Sequence, residues 1–574
     1  DLGWKDLACY GSDFYETPNL DASDVTNFNI INSFNMKIAT LSIAALLFFL
    51  TACAKEPQAP NILFLFADDW GYYASCFADP EEPGINDCLQ TPTMDRLAAE
   101  GVSFNHAYVN VPSCTPSRAS VATGCYFWRT GSTAIMGIKG SWEGVDDPGH
   151  ALPGFGSLLQ ENGYHLGRTY KTLRTEWFPG GVYQDHGRKF CEYSQTVEAA
   201  PSLEEGHALL KQEVIANFQD FLNDREEGQP FCYVWGPHHP HRPWNKGSGK
   251  NIWGIDSDCL KGKLPGHLPD LPVIREDFAD YLGEVQAFDR GVEYLMEELK
   301  RLGEYENTII VLSGDNGIPG FPKGNANLYD FGVRAPLIIR WGDIKYTGRK
   351  LDDFVNLIDL APTFLEAAGV EVPETMDGKS LLPLLKSKKE GLIDKERDHA
   401  IVGTERHGYR EGWLPYPVRA IHTKDFIYIR NFEPDRAPTG IDDRNFKPEL
   451  LPAGVDRASF SIESQLTYEF LEDYANQRNC LVLSGIDNGP AKAWFVTNRN
   501  SPEYGRYYEM AFGLRPGEEL YDLRSDPDQL NNVAGDEEYA EVKAKLSGQL
   551  MQVLEDSNDP RLTDAFDYPP YMPR

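Results

Sequence analysis

Three short stretches carry residue types able to do chemistry together. Cys114-Thr115-Pro116-Ser117-Arg118 runs directly into Ala119-Ser120-Val121-Ala122-Thr123-Gly124. Residues 118 to 123 read as helix and Pro116 suits a first turn, so Cys114 stands at or just before a helix N-terminus. Backbone amides there favour an anion, and Arg118 adds a fixed positive charge one turn along. The apolar run Asn61-Ile62-Leu63-Phe64-Leu65-Phe66-Ala67 ends in Asp68-Asp69, and the run Thr308 to Leu312 ends in Ser313-Gly314-Asp315-Asn316-Gly317. Continuous apolar runs are the form of strands buried on both faces, and in an open α/β sheet ligands bind at the carboxyl ends of the strands. Adjacent carboxylates at such an end repel each other unless a cation lies between them. In isolation, Asp-Asp and Asp-Asn-Gly are ordinary turns. Together, Asp68, Asp69, Asp315 and Asn316 offer hard oxygen ligands, which select Ca2+ or Mg2+ over Zn2+.

The cysteine stretch resembles the C-x-P-S-R…T-G signature of type I sulfatases, whose cysteine is oxidised after synthesis to formylglycine. Further segments follow in that family's order. Tyr164-His165-Leu166-Gly167-Arg168-Thr169-Tyr170-Lys171 is similar to its G-Y-x-T-x-x-x-G-K-x-H stretch. Lys171 falls on the lysine, Leu173 replaces the usual histidine, and Arg174 is the candidate to compensate. Pro237-His238-His239-Pro240-His241-Arg242-Pro243 resembles H-x-P-H-x-P, with His241 at the matching histidine; prolines keep such a stretch extended. Lys323-Gly324 through Tyr329-Asp330, with Gly332-Val333-Arg334-Ala335-Pro336, looks like K-G-x-x-Y-E-G-G-x-R-x-P. Its longer Lys323-to-Tyr329 spacing resembles the sulfamidase-like branch, whose basic residue sits nearer position 325. Arg515-Pro516-Gly517-Glu518-Glu519-Leu520-Tyr521-Asp522-Leu523 looks like the stretch that closes many bacterial sulfatases, and the resemblance spans roughly residues 60 to 540.

The resemblance implies an alkaline-phosphatase-like α/β fold: a large domain with a mixed, mostly parallel sheet sandwiched by helices, plus a smaller C-terminal α+β domain. It implies a sulfuric ester hydrolase with Cys114, Arg118, Lys171, His241 and Lys323 as catalytic residues. His238, Arg174, His407 and Arg410 would bind substrate. Asp68, Asp69, Cys114, Asp315 and Asn316 would hold the metal, Ca2+ in the family, with Mg2+ the alternative. In the implied chemistry, one hydroxyl of the hydrated formylglycine attacks sulfur and the leaving oxygen takes a proton from His241. The second hydroxyl then loses its proton, and collapse of the hemiacetal expels sulfate. An unmodified serine or cysteine could form the covalent ester but could not eliminate it in this way. The implied partners are a sulfated polysaccharide or its oligosaccharides and a formylglycine-generating or sulfatase-maturating enzyme. An algal polymer such as ulvan competes with glycosaminoglycans, including N-sulfated glucosamine. Two other readings are a phosphoryl hydrolase of the same superfold, which would use an unmodified Ser or Thr, and a surface glycan-binding protein that has lost catalysis.

The formal net charge of -33 over 574 residues argues against nucleic acid as a partner, since phosphate neutralisation needs clustered Lys and Arg. It also means that a site for an anionic substrate must be locally positive against a repulsive global field. Of ten cysteines, Cys53 and Cys114 have special roles, and Cys76 and Cys88 are spaced to bridge across a loop. No metal-type C-x2-C pair is present.

Met36-Lys37, the apolar run Ile38 to Leu50, and Leu50-Thr51-Ala52-Cys53 have the layout of a signal peptide. The run of 13 residues is too short to span a bilayer comfortably, and L-T-A-C resembles a bacterial lipobox. The expectation is a lipoprotein signal at residues 36–53, lipidation of Cys53, a tether at 54–60, and a lipid-anchored protein of the bacterial cell envelope, periplasmic or at the outer-membrane surface. Residues 1–35 repeat fragments found later in the chain: Asp1-Leu2-Gly3-Trp4 resembles Asp69-Trp70-Gly71-Tyr72, and Thr17-Pro18-Asn19-Leu20-Asp21 resembles Thr91-Pro92-Thr93-Met94-Asp95. They are expected to be an upstream segment absent from the mature protein. The catalytic domain is expected over 61–385 and the C-terminal subdomain over 395–574. The supporting elements are a helix from Met94 to Glu100, strands at Phe104 to Val109 and Pro230 to Gly236, and an amphipathic helix from Asp280 to Arg301. Ala400 to Gly403, Val418 to Thr423 and Phe426 to Arg430 read as strands of the smaller unit.

Overall fold

The computed structural model describes residues 59–136, 147–408, 410, 413–441, 443, 460–473 and 481–571. Residues 1–35, the signal-like segment with Cys53, and most of the tether lie outside the described residues. From Ala59 onward the chain forms one compact unit.

Eight strands build the main sheet: β1 (Asn61–Ala67), β2 (Val102–Tyr108), β3 (His165–Tyr170), β4 (Gly181–Val182), β5 (Phe231–Gly236), β6 (Thr308–Gly314), β7 (Leu337–Arg340) and β8 (Arg349–Asn356). Their spatial order is 4-3-5-1-6-7-2-8. β7 runs antiparallel to β6 and β2, and every other adjacent pair is parallel. The register pairs Ala67 with Gly314 and Tyr170 with Gly236. The chain therefore leaves β1, β3, β5 and β6 along one edge of the sheet. That edge collects Asp68-Asp69, Lys171, the His-Pro segment and Asp315-Asn316.

Alternation of side chains along a strand divides the core in two. Leu63 and Leu65 join one buried cluster, and Ile62, Phe64 and Phe66 join the other. Full burial of such side chains contributes about 1.5–3 kcal/mol each, which is why the uninterrupted apolar runs become central strands. Among the flanking helices are α1 (Pro92–Glu100), α2 (Cys114–Thr123), α3 (Leu203–Asn223), α4 (Pro272–Leu302) and α5 (Leu360–Ala367). α4 lays Phe278, Tyr281, Val285, Phe288, Val292 and Leu295 on the first face, while α2 and α5 cover the second with Ala119, Val121, Ala122 and Phe364. α4 starts at Pro272 rather than Asp280, because Pro272 opens the first turn and Ile274 and Phe278 carry the apolar stripe backwards.

A second sheet of four antiparallel strands, β9 (His399–Thr404), β10 (Val418–Thr423), β11 (Phe426–Asn431) and β12 (Glu518–Asp522), has the order 12-11-10-9. Further helices include α6 (Pro490–Thr497) and α7 (Ala540–Asp556). Leu546, Leu550 and Leu554 of α7 recur at helical spacing and pack on Ile401, Ile421, Tyr428 and Leu520 of this sheet. The large sheet and the smaller α+β portion thus match the architecture expected from the sequence.

The bridge between Cys76 and Cys88, which the sequence left open, does not form. Cys88 bonds to Cys259, with Cα atoms 5.8 Å apart, and Cys76 is a free thiol. The turns Ile85–Cys88 and Ser257–Leu260 pack against each other, so the partner came from a distant segment rather than from the near loop.

Candidate active site

Cys114 is the first residue of α2 and is buried. Its Sγ lies 3.2 Å from Asp68 Oδ1 and 3.8 Å from Asp69 Oδ1. Asn316 Nδ2 points at the same sulfur from 3.7 Å. Asp68 and Asp69 follow β1, and Asp315 and Asn316 follow β6, so two adjacent parallel strands deliver all four groups to the N-terminus of α2. Asp69 has φ of 62°, a left-handed backbone conformation that is costly for a non-glycine residue. Its amide donates to Asp315 Oδ1 at 3.0 Å, which fixes that turn.

The charges are dense and buried. Arg118 Nε donates to Asp315 Oδ2 at 2.7 Å, and its other nitrogens donate to the carbonyls of Lys171 and Ala67 at 2.8 and 3.4 Å. Lys171 Nζ sits 2.5 Å from both oxygens of Asp68. Burial alone would raise Asp68, yet Lys171, His241 and Arg118 hold it well below the usual carboxylate range. Burial would likewise lower Lys171, but Asp68, Cys114 and Asp315 hold its ammonium well above the usual range. Asp69 is pushed well up by burial and by its neighbours Asp68 and Asp315. Burial, with Asp315 and Asp68 alongside, also holds the Cys114 thiol well up. As a plain cysteine, residue 114 is therefore a protonated thiol and a poor nucleophile.

The donor set fits a hard cation. One ligand-type atom from each of Asp68, Asp69, Cys114 and Asp315 lies within 4.8 Å of the others. Among the described residues, nothing hydrogen-bonds to the buried Asp69 Oδ2 and Asn316 Oδ1, a state that costs about 1–3 kcal/mol per group unless something positive meets them. The three buried carboxylates face Arg118 and Lys171, and a cation held among them would add positive charge opposite an anionic substrate.

This centre opens into a cleft of about 370 Å³ lined by Asp68, Cys114, Lys171, His238, His241, Asn325, His407, Met136, Lys492 and the segment Ser484 to Asn488. His241 Nε2 is 3.6 Å from Asp69 Oδ2. Burial pulls His238 down to about 3 and also lowers His407, so both are neutral rings at neutral pH. His407 Nδ1 is 3.0 Å from Ser113 Oγ, at the residue capping α2.

The sulfatase family profile matches residues 60–370. The chain belongs to the sulfatase family. A second profile, the C-terminal domain of N-sulphoglucosamine sulphohydrolase, matches residues 324–435. Human N-sulphoglucosamine sulphohydrolase is 26% identical over 550 residues, covering 90% of this chain and 93% of its own. An ulvan-active sulfatase of Formosa agariphila is 26% identical over 532 residues, covering 88% of this chain and 77% of its own. A protein solved in complex with its substrate D-glucosamine-2-N,6-O-disulfate aligns with a TM-score of 0.53 at 19% identity, over 87% of this sulfatase and 98% of the other chain. The phosphonate monoester hydrolase of Agrobacterium radiobacter shares the fold equally well, with a TM-score of 0.53 at 16% identity over 88% and 97% of the two chains. The protein is accordingly a sulfuric ester hydrolase.

Several residues assigned to the site from the sequence of this sulfatase lie elsewhere. Lys323 is turned away from the cleft: its Nζ donates to the Gln529 carbonyl and lies over the rings of Tyr329 and Tyr521. Its φ of 62° redirects the chain there, and burial with Arg515 nearby pulls it down to about 7. Asn325 occupies the cleft instead and donates to Asp69 Oδ1 at 3.0 Å, at the position where the sulfamidase-like branch was expected to place its basic residue. Arg174 is an exposed residue paired with Glu176 at 2.5 Å and does not line the cleft. Arg410 is buried and does not line the cleft, with its Nε and Nη2 donating to the carbonyls of Ala437 and Pro438; of the expected loop residues, His407 reaches the cleft. Two residues before His407, Glu405 anchors the same loop between Arg419 and Arg561 at 2.7 and 2.6 Å.

The wall formed by Ser484, Asp487 and Asn488 was not anticipated. A sequence signal for it exists. Leu483-Ser484-Gly485-Ile486-Asp487-Asn488-Gly489-Pro490 echoes Leu312-Ser313-Gly314-Asp315-Asn316-Gly317-Ile318-Pro319, so the tripeptide Asp-Asn-Gly occurs at the centre and again at the rim.

Proposed function

We propose that this sulfatase removes sulfate from a sulfated glycan, using formylglycine made from Cys114 and one bound divalent cation. The observation that carries the proposal is the buried arrangement of Asp68, Asp69, Asp315 and Asn316 around Cys114, in which Asp69 Oδ2 and Asn316 Oδ1 have no hydrogen-bond partner among the described residues. Ca2+ or Mg2+ held by these oxygens would supply positive charge opposite a sulfate group. Formylglycine at 114 would supply a hydrated aldehyde, a nucleophile whose ester can be released by elimination.

The chain's own residues do the remaining work. Arg118 ties Asp315 to the carbonyls of Ala67 and Lys171, which fixes the carboxylates of two strand ends in one geometry. Lys171 reaches into the cleft beside Asp68, where its ammonium can meet a sulfate oxygen. Asn325 orients Asp69. His241 Nε2 faces the cleft and can hold the proton that the leaving oxygen or nitrogen takes.

The names of the relatives support two glycan classes, algal ulvan and glucosamine-containing glycosaminoglycans. The match of residues 324–435 to the N-sulphoglucosamine sulphohydrolase C-terminal domain favours the second for part of the chain. We also propose a maturating enzyme as a partner. Cys53 is the proposed lipid attachment point, placing the enzyme at the bacterial envelope. The test is sulfate release by protein co-expressed with a formylglycine-generating enzyme, measured on ulvan oligosaccharides, heparin-derived oligosaccharides and 4-nitrophenyl sulfate. Release of sulfate supports the proposal, and preferential hydrolysis of 4-nitrophenyl phosphate would move the protein to the phosphoryl-hydrolase reading.

A further inference from the structure

Asp487 is a carboxylate where an enzyme for anions would be expected to place a cation. It lines the same cleft as Cys114 and Lys171. One oxygen of Asp487, one of Asp69 and one ring nitrogen of His241 lie within 4.8 Å of one another, so Asp487 faces the side on which His241 would meet the leaving group. Among the described residues nothing donates a hydrogen bond to it.

The segment bearing Asp487 is firmly built. Lys492 of α6 is fully buried, and its ammonium donates to the carbonyls of Leu483 and Ile486 and to Asn488 Oδ1 at 2.9, 2.7 and 2.9 Å. Charge-assisted bonds of this kind are about twice as strong as neutral ones. The amide of Ala491 donates to Asp277 Oδ2 at 3.1 Å, and Asp277 is itself clamped by both terminal nitrogens of Arg242 at 2.9 and 2.7 Å. The amide of Gly485 donates to the Thr439 carbonyl at 2.9 Å. The buried ammonium thus holds the two residues on either side of Asp487, and the bidentate ion pair and the backbone bond hold the chain at Ala491 and Gly485, while Asp487 itself lines the cleft.

We propose that Asp487 is a specificity-determining residue: it accepts hydrogen bonds from hydroxyl or ammonium groups next to the reactive sulfate and excludes a second anionic group from that position. The inference rests on the sulfatase reading and deepens it. A carboxylate has acceptor capacity only, so it rewards neutral or cationic donors. It repels a neighbouring sulfate or carboxylate across the partly buried cleft.

The experiment uses formylglycine-bearing protein and three aryl sulfates that differ in the group ortho to the sulfate: 2-(aminomethyl)phenyl, phenyl and 2-carboxyphenyl sulfate. The readout is kcat/KM for each with wild type, Asp487→Asn and Asp487→Ser. Intrinsic leaving-group differences cancel when the ratio between two substrates is compared between variants. The expected result is that the aminomethyl-to-carboxyl ratio falls about tenfold or more in both variants and that the wild-type ratio shrinks as ionic strength rises. Ratios within about twofold of wild type in both folded variants would overturn the inference. Wild-type protein that hydrolyses none of the three, while hydrolysing phosphate monoesters, would instead overturn the sulfatase mechanism on which it rests.

Discussion

Replacing Lys171 by Ala or Met is expected to abolish most of the activity without unfolding the protein. In the structure the ammonium is 2.5 Å from both oxygens of Asp68 and, with its side chain 26% exposed, is open to the cleft. Without it, among the described residues, Arg118 remains as the permanent cation paired with Asp68 and Asp315. A unit charge about 4 Å away contributes about 4 kcal/mol at an effective dielectric near 20. Discounted for partial exposure, this becomes about 3 kcal/mol, in line with the loss on deleting one oxyanion donor. The corresponding fall in kcat is about 10²-fold or more. The assay is steady-state hydrolysis of 4-nitrophenyl sulfate with saturating Ca2+, beside a thermal melt of the same sample. A kcat within about threefold of wild type in a folded variant would refute the role assigned to Lys171.

Lys323→Ala is expected to keep kcat within about threefold of wild type in the same assay, because its ammonium is held on Gln529 and two tyrosine rings outside the cleft. A hundredfold loss would return Lys323 to the site. Removing divalent cations with a chelator should stop turnover and lower the melting temperature, and Ca2+ in hundredfold excess over its Kd should restore about 2.7 kcal/mol of stability. Activity and melting that ignore the chelator would contradict a cation at Asp69 and Asn316. Glu405→Gln breaks buried ion pairs to Arg419 and Arg561 and should cost about 3 kcal/mol in denaturant unfolding, whereas a change below about 0.5 kcal/mol would show that these charges are not the lock of that region.

The parts of the site that were legible in the sequence share one physical origin. β1 and β6 are uninterrupted apolar runs because both their faces are covered, and such runs announce both the strand and its end. Asp68, Asp69, Asp315 and Asn316 could therefore be placed together before any contact was known, and Cys114 followed from the helix that its own sequence starts. Residues on irregular segments were not legible in the same way. Nothing local distinguishes Lys323 from Asn325. A left-handed turn at 323 and the Gln529 carbonyl decide which of the two enters the cleft. Arg410 reads as an available cation until the Ala437 and Pro438 carbonyls are seen to hold two of its nitrogens outside the cleft. The Asp487 segment is held at the cleft by Lys492 and by Asp277, Arg242 and Thr439, and the last three, distant in sequence, leave no periodic signal. The Cys88–Cys259 bond, closed between two turns 171 residues apart, is of the same kind.

The central claim is that residue 114 acts as formylglycine within an oxygen-rich cation site. Its most direct test is the mass of the tryptic peptide spanning residues 97–118, from protein co-expressed with an active formylglycine-generating enzyme. The mass of the aldehyde or its hydrate is expected at residue 114, in proportion to the sulfatase activity of each preparation. An unmodified Cys114 in protein that nonetheless hydrolyses sulfate esters at full rate would contradict it.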